Sequence, residues 1–386
     1  MKHRVVSIAL AAVLGVSAGA VPAAAKSPDE WAQAAAHATG DSFNPGESTL
    51  TPAVAAKLKP RWTVPLNTVK CAVPSVPLVG ANRLITAEAY RISGYDARTG
   101  ALKWRTPVDG NRDIDLAAVI GGTLIAQYRK CASGKAYLIA LNAKTGETRY
   151  IRRIAAPMYG LLADRGVLVG GAWDASTSKY VLRGYRIADG APLWSRVGSV
   201  NGATVSAGGR MVVFGDDGSA TAIDATTGKT VWPAGHGCFT PIGASTDGSK
   251  FYVRCGPDDR IQTVDASTGK VLATFPDHGA TFGFATDGKR VYLHTFSDEG
   301  LLAVDATTGR KAWRASFADN GPIEFTLGGG VVYGWRADGN PLAAFATTTG
   351  SPIKLTAKTA AFESAPVVAN GRLYGRTGST LTSFAP

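Results

Sequence analysis

Residues with chemical potential are few in this sequence and widely spaced. The set that could line a ligand site is Arg112, Asp113, Tyr159, His236, His278, Asn320 and Glu363, flanked by Asp109, Asn111, Met158, Asn201, Asp277, Asp319 and Phe362. Such a mixture of acid, amide, imidazole and ring suits ligand binding in a concave mouth, although mixed polar residues are also what ordinary loops carry. None of them pairs with a neighbour as an activated nucleophile. There is no G-x-S-x-G, no H-E-x-x-H and no phosphate-cradling glycine loop, so no catalytic residue is expected. Asp216-Asp217-Gly218 and Asp258-Asp259 look like fragments of a calcium loop, but the twelve-residue ligand spacing is missing and exposed turn carboxylates are the simpler reading; no metal site is expected. Four cysteines remain: Cys71, Cys131, Cys238 and Cys255. No C-x-x-C pair exists and His236 is the nearest histidine, which argues for two structural disulfides and against zinc.

The elements that must position these residues follow from a repeated phrase. Asp96-Ala-Arg-Thr-Gly100, Asn142-Ala-Lys-Thr-Gly146, Ala188-Asp-Gly190, Asp224-Ala-Thr-Thr-Gly228, Asp265-Ala-Ser-Thr-Gly269, Asp305-Ala-Thr-Thr-Gly309 and the degenerate Thr347-Thr-Thr-Gly350 recur with glycines 38 to 46 residues apart. That period belongs to four-stranded blades or helical pairs. Runs such as Phe251-Tyr252-Val253 and Val291-Tyr292-Leu293 are β-branched and aromatic, without helical spacing, so the blades are β. In the phrase, Asp or Asn can bond the backbone two residues on and Gly can take a positive φ, which together make a tight turn. Four residues past the Gly stand Trp104, Tyr150, Trp194, Trp232 and Trp313, whereas Ala273 and Lys354 break the series. A ring repeated once per blade is expected to wedge between neighbouring sheets.

A second turn type gives the blade count. Asn82-Arg83, Gly121-Gly122, Arg165-Gly166, Gly208-Gly209, Asp247-Gly248, Asp287-Gly288, Gly328-Gly329 and Asn370-Gly371 are flanked by apolar strands and read as hairpins joining the inner two strands of each blade. The last blade stops one strand short at Pro386, while the stretch Leu58–Pro65 with Trp62 is a strand with no blade ahead of it. The expected fold is therefore all-β: an eight-bladed β-propeller with four-stranded antiparallel blades over 58–386, its ring closed by the N-terminal strand completing the last blade. In that topology all four cysteines fall on one face. Cys238 and Cys255 are nearly symmetric about Asp247-Gly248, so Cys238–Cys255 is the expected pair, leaving Cys71–Cys131 by elimination.

The repeat 223–232, Ile-Asp-Ala-Thr-Thr-Gly-Lys-Thr-Val-Trp, resembles the tryptophan-docking motif of quinoprotein, or pyrroloquinoline-quinone (PQQ)-like, propellers. The lead-in from Trp31 through Asn44-Pro45 and Leu50-Thr51-Pro52 to Trp62 is similar to the segment that opens the dehydrogenases of that superfamily. A WD-type propeller fits less well, because its Gly-His and Trp-Asp landmarks are missing. The resemblance implies one of two roles: a quinone-dependent dehydrogenase holding PQQ and calcium, or a single propeller similar to BamB-like proteins that offers its loops to protein partners. This chain has neither the adjacent Cys-Cys pair of the first nor the lipid-accepting Cys of the second.

Lys2-His3-Arg4, the apolar run Val5–Val21 and Ala23-Ala24-Ala25 read as a signal peptide over residues 1–25, with a lead-in over 26–57. The expected mature protein is secreted, extracellular and monomeric, with no lipid anchor and no membrane span. The formal charge is +12, and losing Lys2 and Arg4 leaves +10. That excess attracts anionic cell-envelope polymers, but no Lys/Arg block reaches the length of a dedicated nucleic-acid patch. The reading reached is a secreted non-catalytic propeller serving as a protein-binding, scaffolding or sensor module without cofactor. The alternatives are a PQQ- and calcium-dependent oxidoreductase and a binder of anionic envelope polymer.

Overall fold

The computed structural model describes residues 30–67, 75–108, 112–130, 133–200, 203–235, 238–256, 260–279, 281–295, 300–316, 324–335, 342–356, 362–377 and 379–386. They form eight small sheets, numbered here as blades 1 to 8: residues 78–107, 112–154, 159–197, 199–235, 238–274, 281–316, 324–352 and, for blade 8, 367–385 together with the strand Lys59–Pro65. Eight apolar clusters fill the gaps between consecutive blades, including the gap from blade 8 back to blade 1. Because an inner strand meets a neighbouring blade on each face, it is buried almost throughout, as Arg83–Glu88 is, and reads as a continuous apolar run. Outer strands keep only alternate burial; in Leu102–Pro107 only Trp104 and Thr106 are buried. The ring closes as the sequence implies: Lys59–Pro65 pairs antiparallel with Thr380–Ala385, from Lys59 opposite Ala385 to Pro65 opposite Thr380.

Six of the eight inner hairpins turn through two consecutive residues of positive φ, including Gly121-Gly122, Arg165-Gly166, Gly208-Gly209 and Asn370-Gly371, while those of blades 5 and 6 use the single glycines Gly248 and Gly288. Two sit one residue away from the sequence-based expectation. The first turn is Ala81-Asn82, because Ala81 itself takes the left-handed conformation; the seventh is Gly329-Gly330, one of two registers that the run Gly328-Gly329-Gly330 allows. In the outer turns the carboxylate caps the backbone, as Asp96 Oδ1 does for Arg98 N at 3.2 Å and Thr99 N at 2.9 Å. Side-chain and backbone donors on Ser267 and Thr268 hold the Asp265 carboxyl down to about 2.

Blade-to-blade docking uses these turns. The Trp104 ring lies on Gly146 of the next blade, and its indole N–H donates to Ala143 O at 3.1 Å. A Cβ on Gly146, at φ +76°, would meet that ring at 2.6 Å, so both its backbone and its contact demand glycine. Trp62, Trp194, Trp232 and Trp313 dock on blades 1, 4, 5 and 7 with indole bonds of 3.1, 3.2, 3.1 and 2.8 Å to Arg98, Ala225, Ala266 and Thr347. Tyr150 reaches blade 3 through its hydroxyl, at 2.8 Å from Ile187 O. On blade 5, where Ala273 breaks the series, Phe275 two residues later covers Gly309 instead. Trp104→Ala is expected to cost about 3–5 kcal/mol of unfolding free energy. Trp104→Phe, which loses the buried N–H bond, should cost about 1–3 kcal/mol. Urea midpoints measure both, and unchanged midpoints would remove docking from the account of stability.

Two blades depart from four antiparallel strands. In blade 7 the fourth strand shrinks to one bridge, Phe345 with Pro352, and Phe43–Asn44 adds in parallel along the inner edge. In blade 4 the first strand shrinks to bridges at Ser199 and Ala207, because its backbone turns to other partners: Ala203 N donates to Pro241 O at 2.9 Å and Ser206 N to Ala38 O at 2.7 Å.

The segment from Trp31 to Glu47 runs once around the axis and touches all eight blades in order. It exchanges bonds with Val79 of blade 1, accepts at Ala32 O from Val119 of blade 2, and pairs Gln33 with both backbone groups of Ala163 in blade 3. Ala38 O, Thr39 O, Asp41 O and Ser42 O then accept from Ser206, Ala244, Thr286 and Leu327 of blades 4 to 7. Asn44 Nδ2 finally donates to Val368 O of blade 8 at 2.9 Å. Positive φ at Ala36, Gly40 and Ser42 lets so short a stretch curl. Trp31, Ala36, Asp41, Asn44 and Glu47 are buried. The partners are the last residues of the inner strands, so this segment closes the hairpin end of the channel.

Candidate functional site

At the end opposite the axial segment lie the starts of the inner strands. Arg112 opens the inner strand of blade 2, its side chain lying outside the described residues. Asp113 follows it, nearly buried, accepting from Arg129 Nη2 at 2.6 Å. Tyr159 opens the inner strand of blade 3. His278 is drawn to the outer half of blade 6, with Nε2 2.8 Å from Gly309 O. Glu363 is exposed beside blade 8; its N–H donates to Arg376 O at 2.8 Å, and its charge opposes the desolvation that lowers the buried Arg376. His236 and Asn320 lie outside the described residues. The described candidates Asp113, Tyr159, His278 and Glu363 are spread over blades 2, 3, 6 and 8. Asp216 and Asp217 sit in the second-to-third strand turn of blade 4, where Asp217 Oδ1 accepts from Ser219 N at 2.9 Å. Cys238 and Cys255 stand opposite one another on adjacent strands of blade 5, while Cys71 and Cys131 lie outside the described residues.

What the fold does assemble is a cavity of about 1050 Å³ at the mouth between blades 3 and 4. Of the described sequence candidates only Tyr159 lines it. Trp173 and Tyr180 from blade 3, Ser199, Val200, Phe214 and Asp216 from blade 4, and Thr240 from blade 5 complete its walls. The cause is local. Tyr159, Gly171, Trp173 and Tyr180 are register neighbours on the face of blade 3 that looks toward blade 4. The first strand of blade 4, reduced to bridges at Ser199 and Ala207, covers little of that face, and Trp173 and Tyr180 stay 48% and 47% exposed.

The blade 3 wall is preset. A bulge between Tyr159 and Leu162, with Gly160 at φ +58°, re-aims the Tyr159 side chain. Its ring settles on Gly171, where any Cβ would approach it to 2.6 Å. Gln127 grips the preceding residue from blade 2: its amide oxygen accepts from Met158 N at 2.9 Å, and its amide nitrogen donates to Met158 O and, at 3.0 Å, to Asp115. Burial pushes the Asp115 carboxyl up, opposed by the Gln127 bond, and burial likewise raises the Tyr159 hydroxyl, with Tyr180 adding to it. Glu324, at the start of the blade 7 inner strand, is also pushed up by desolvation while remaining open to solvent, as a channel wall would be. The sequence carried one faint signal of the wall: Gly170-Gly171 inside a strand, which marks a close approach.

Among the described residues no three His, Cys, Asp or Glu side chains converge as metal ligands. The sequence has no adjacent cysteine pair. No described helix is long and apolar enough to cross a membrane.

A closed ring of eight small sheets, tied blade to blade by tryptophans on turn glycines, defines the class of PQQ-like propellers. Within it, the chain belongs to the family described as outer membrane protein assembly factor BamB, whose sequence profile matches residues 42–183, 89–234, 177–274, 216–324 and 297–385. The matches overlap in steps along the chain because the repeats resemble one another. Among solved structures, BamB from Moraxella catarrhalis is similar at 20% identity, with 85% of this chain and 100% of that one covered and a TM-score of 0.57. The quinohemoprotein alcohol dehydrogenase of Comamonas testosteroni is similar at 15% identity, covering 94% and 81%, with a TM-score of 0.59. The corresponding enzyme ADHIIG of Pseudomonas putida HK5 follows at 13%, covering 93% and 80%, with a TM-score of 0.61. At these identities the likeness is one of fold. No curated protein sequence matches the chain.

Proposed function

We propose that this protein is a secreted, non-catalytic propeller that binds a protein partner at its open mouth. The observation that carries the reading is the axial segment: the chain's own residues 31–47 close one end of the channel, leaving the opposite loops as the face available to a partner. Membership in a family described as an assembly factor supports a protein as that partner. On this reading the mature chain begins at Lys26 and carries the pairs Cys238–Cys255 and Cys71–Cys131, the first supported by their direct opposition in the ladder. Export of the full chain followed by intact mass measurement should give the Lys26 start, lighter than the reduced chain by the hydrogens of two disulfides. Titration of that material with PQQ and calcium tests the rest. The expected result is no stoichiometric spectral shift and no dye-linked alcohol oxidation; the opposite result overturns the non-catalytic reading.

A further inference from the structure

The cavity between blades 3 and 4 has a composition that a protein-docking loop face does not require. Its blade 3 wall is three rings set nearly at right angles: Trp173 to Tyr180 with centroids 5.0 Å apart at 69°, and Tyr159 to Tyr180 at 5.9 Å and 86°. Rings packed edge to face leave faces free, and all three are more than a third exposed. Solvent exposure of clustered aromatics marks a binding surface, and here the bulge at Gly160, the seat at Gly171 and the Gln127 clamp hold one of the rings in place. The rest of the lining sets the hydroxyls of Ser199 and Thr240, the Asp216 carboxylate and the backbone of Gly215 and Gly218 among the apolar Val200 and Phe214.

Charge decides among ligand classes. The cation at the adjoining lobe of the cavity, Lys179, is already paired with Asp216 at 2.9 Å, and behind Trp173 Asp174 is paired with Arg183 at 3.1 Å. An anionic polymer would find no free cation among these residues, and a cationic ligand would have to displace Lys179 from the carboxylate. A neutral molecule with flat C–H faces and a rim of hydroxyls meets both walls without breaking either pair. The volume, about 1050 Å³, is at the top of the roughly 300–1,000 Å³ range of small-molecule pockets, which leaves room for more than one sugar ring.

We infer that this cavity binds a neutral oligosaccharide, with pyranose faces against Trp173 and Tyr180 and hydroxyls on Asp216, Ser199 and Thr240. This goes beyond the protein-binding reading and does not depend on it. The test is calorimetric titration of the full mature protein with maltotriose, cellotriose, mannotriose and chitotriose, with tryptophan fluorescence as a second readout. At least one trisaccharide should bind, Trp173→Ala and Tyr180→Ala should each weaken it about tenfold or more, and Asp216→Asn should weaken it less. Tyr90→Ala, an exposed aromatic outside the cavity, should leave affinity unchanged. Both cavity aromatics are exposed, so their removal should leave the melting temperature near that of the parent. Failure of all four sugars to bind at millimolar concentration overturns the inference. So does sugar binding that survives both aromatic substitutions, or Trp173-dependent binding of tetramethylammonium or a peptide in place of any sugar.

Discussion

A chain lacking residues 59–66 is expected to show no cooperative thermal transition. The deletion removes the whole fourth strand of blade 8, whose register runs from Lys59 to Pro65. It also removes the Trp62 ring from Gly100 of blade 1 and the Leu66 bond to Ser379 O. Other internal blades can lose a strand and still be held by neighbours on both sides; blades 3 and 5 hold the shortened blade 4 in this way. Blade 8 is different, because its fourth strand is the covalent start of the ring and its Trp is the wedge that seats blade 8 on blade 1. Without it, Thr380–Ala385 becomes an exposed edge ready to pair with another chain. Differential scanning calorimetry and light scattering should therefore show a broad, early, aggregating transition. A cooperative melt at the parent temperature would refute the closure mechanism.

Removal of residues 30–47 should have an effect of similar size for a different reason. The inner strands end at the axis, where no blade supplies partners to their last N–H groups. Val119, Ser206, Ala244, Thr286 and Leu327 donate instead to carbonyls of the axial segment. Each buried donor left unpaired costs about 1–3 kcal/mol, and the loss of the fully buried Trp31 from between blades 1 and 8 adds about 3–5 kcal/mol. Together these exceed much of the stability of an ordinary domain, roughly 5–15 kcal/mol. The truncated chain should be molten or insoluble. Gln33→Ala is the milder probe, expected to cost about 1–3 kcal/mol because it strands both backbone groups of Ala163. Urea unfolding of the point variant and calorimetry of the truncation check both, and a truncated chain as stable as the parent would make the segment an ornament.

The sevenfold outer phrase was readable because its physics is complete within a few residues. In five of the seven an Asp or Asn side chain bonds amides two and three positions on, a glycine takes φ near +70°, and in five a ring falls four residues later. Ring closure was readable for a comparable reason: a strand without a sheet at one end and a sheet lacking a strand at the other are both visible in one dimension. Phe275 shows where the local rule ends, since its distance from the turn is longer by two and only the neighbouring Gly309 reveals its role.

The blade period, the all-β character and the joining of the two ends were thus determined by the sequence alone, through interactions short enough to leave a periodic trace. The axial segment and the aromatic cavity were decided by tertiary structure. The first is aperiodic, and its bonds go to eight blades distant in sequence, six through its backbone and two through the side chains of Gln33 and Asn44. The second exists because blade 4 bends its first strand away and exposes rings that, as Trp173 and Tyr180 in ordinary β runs, look no different from buried ones.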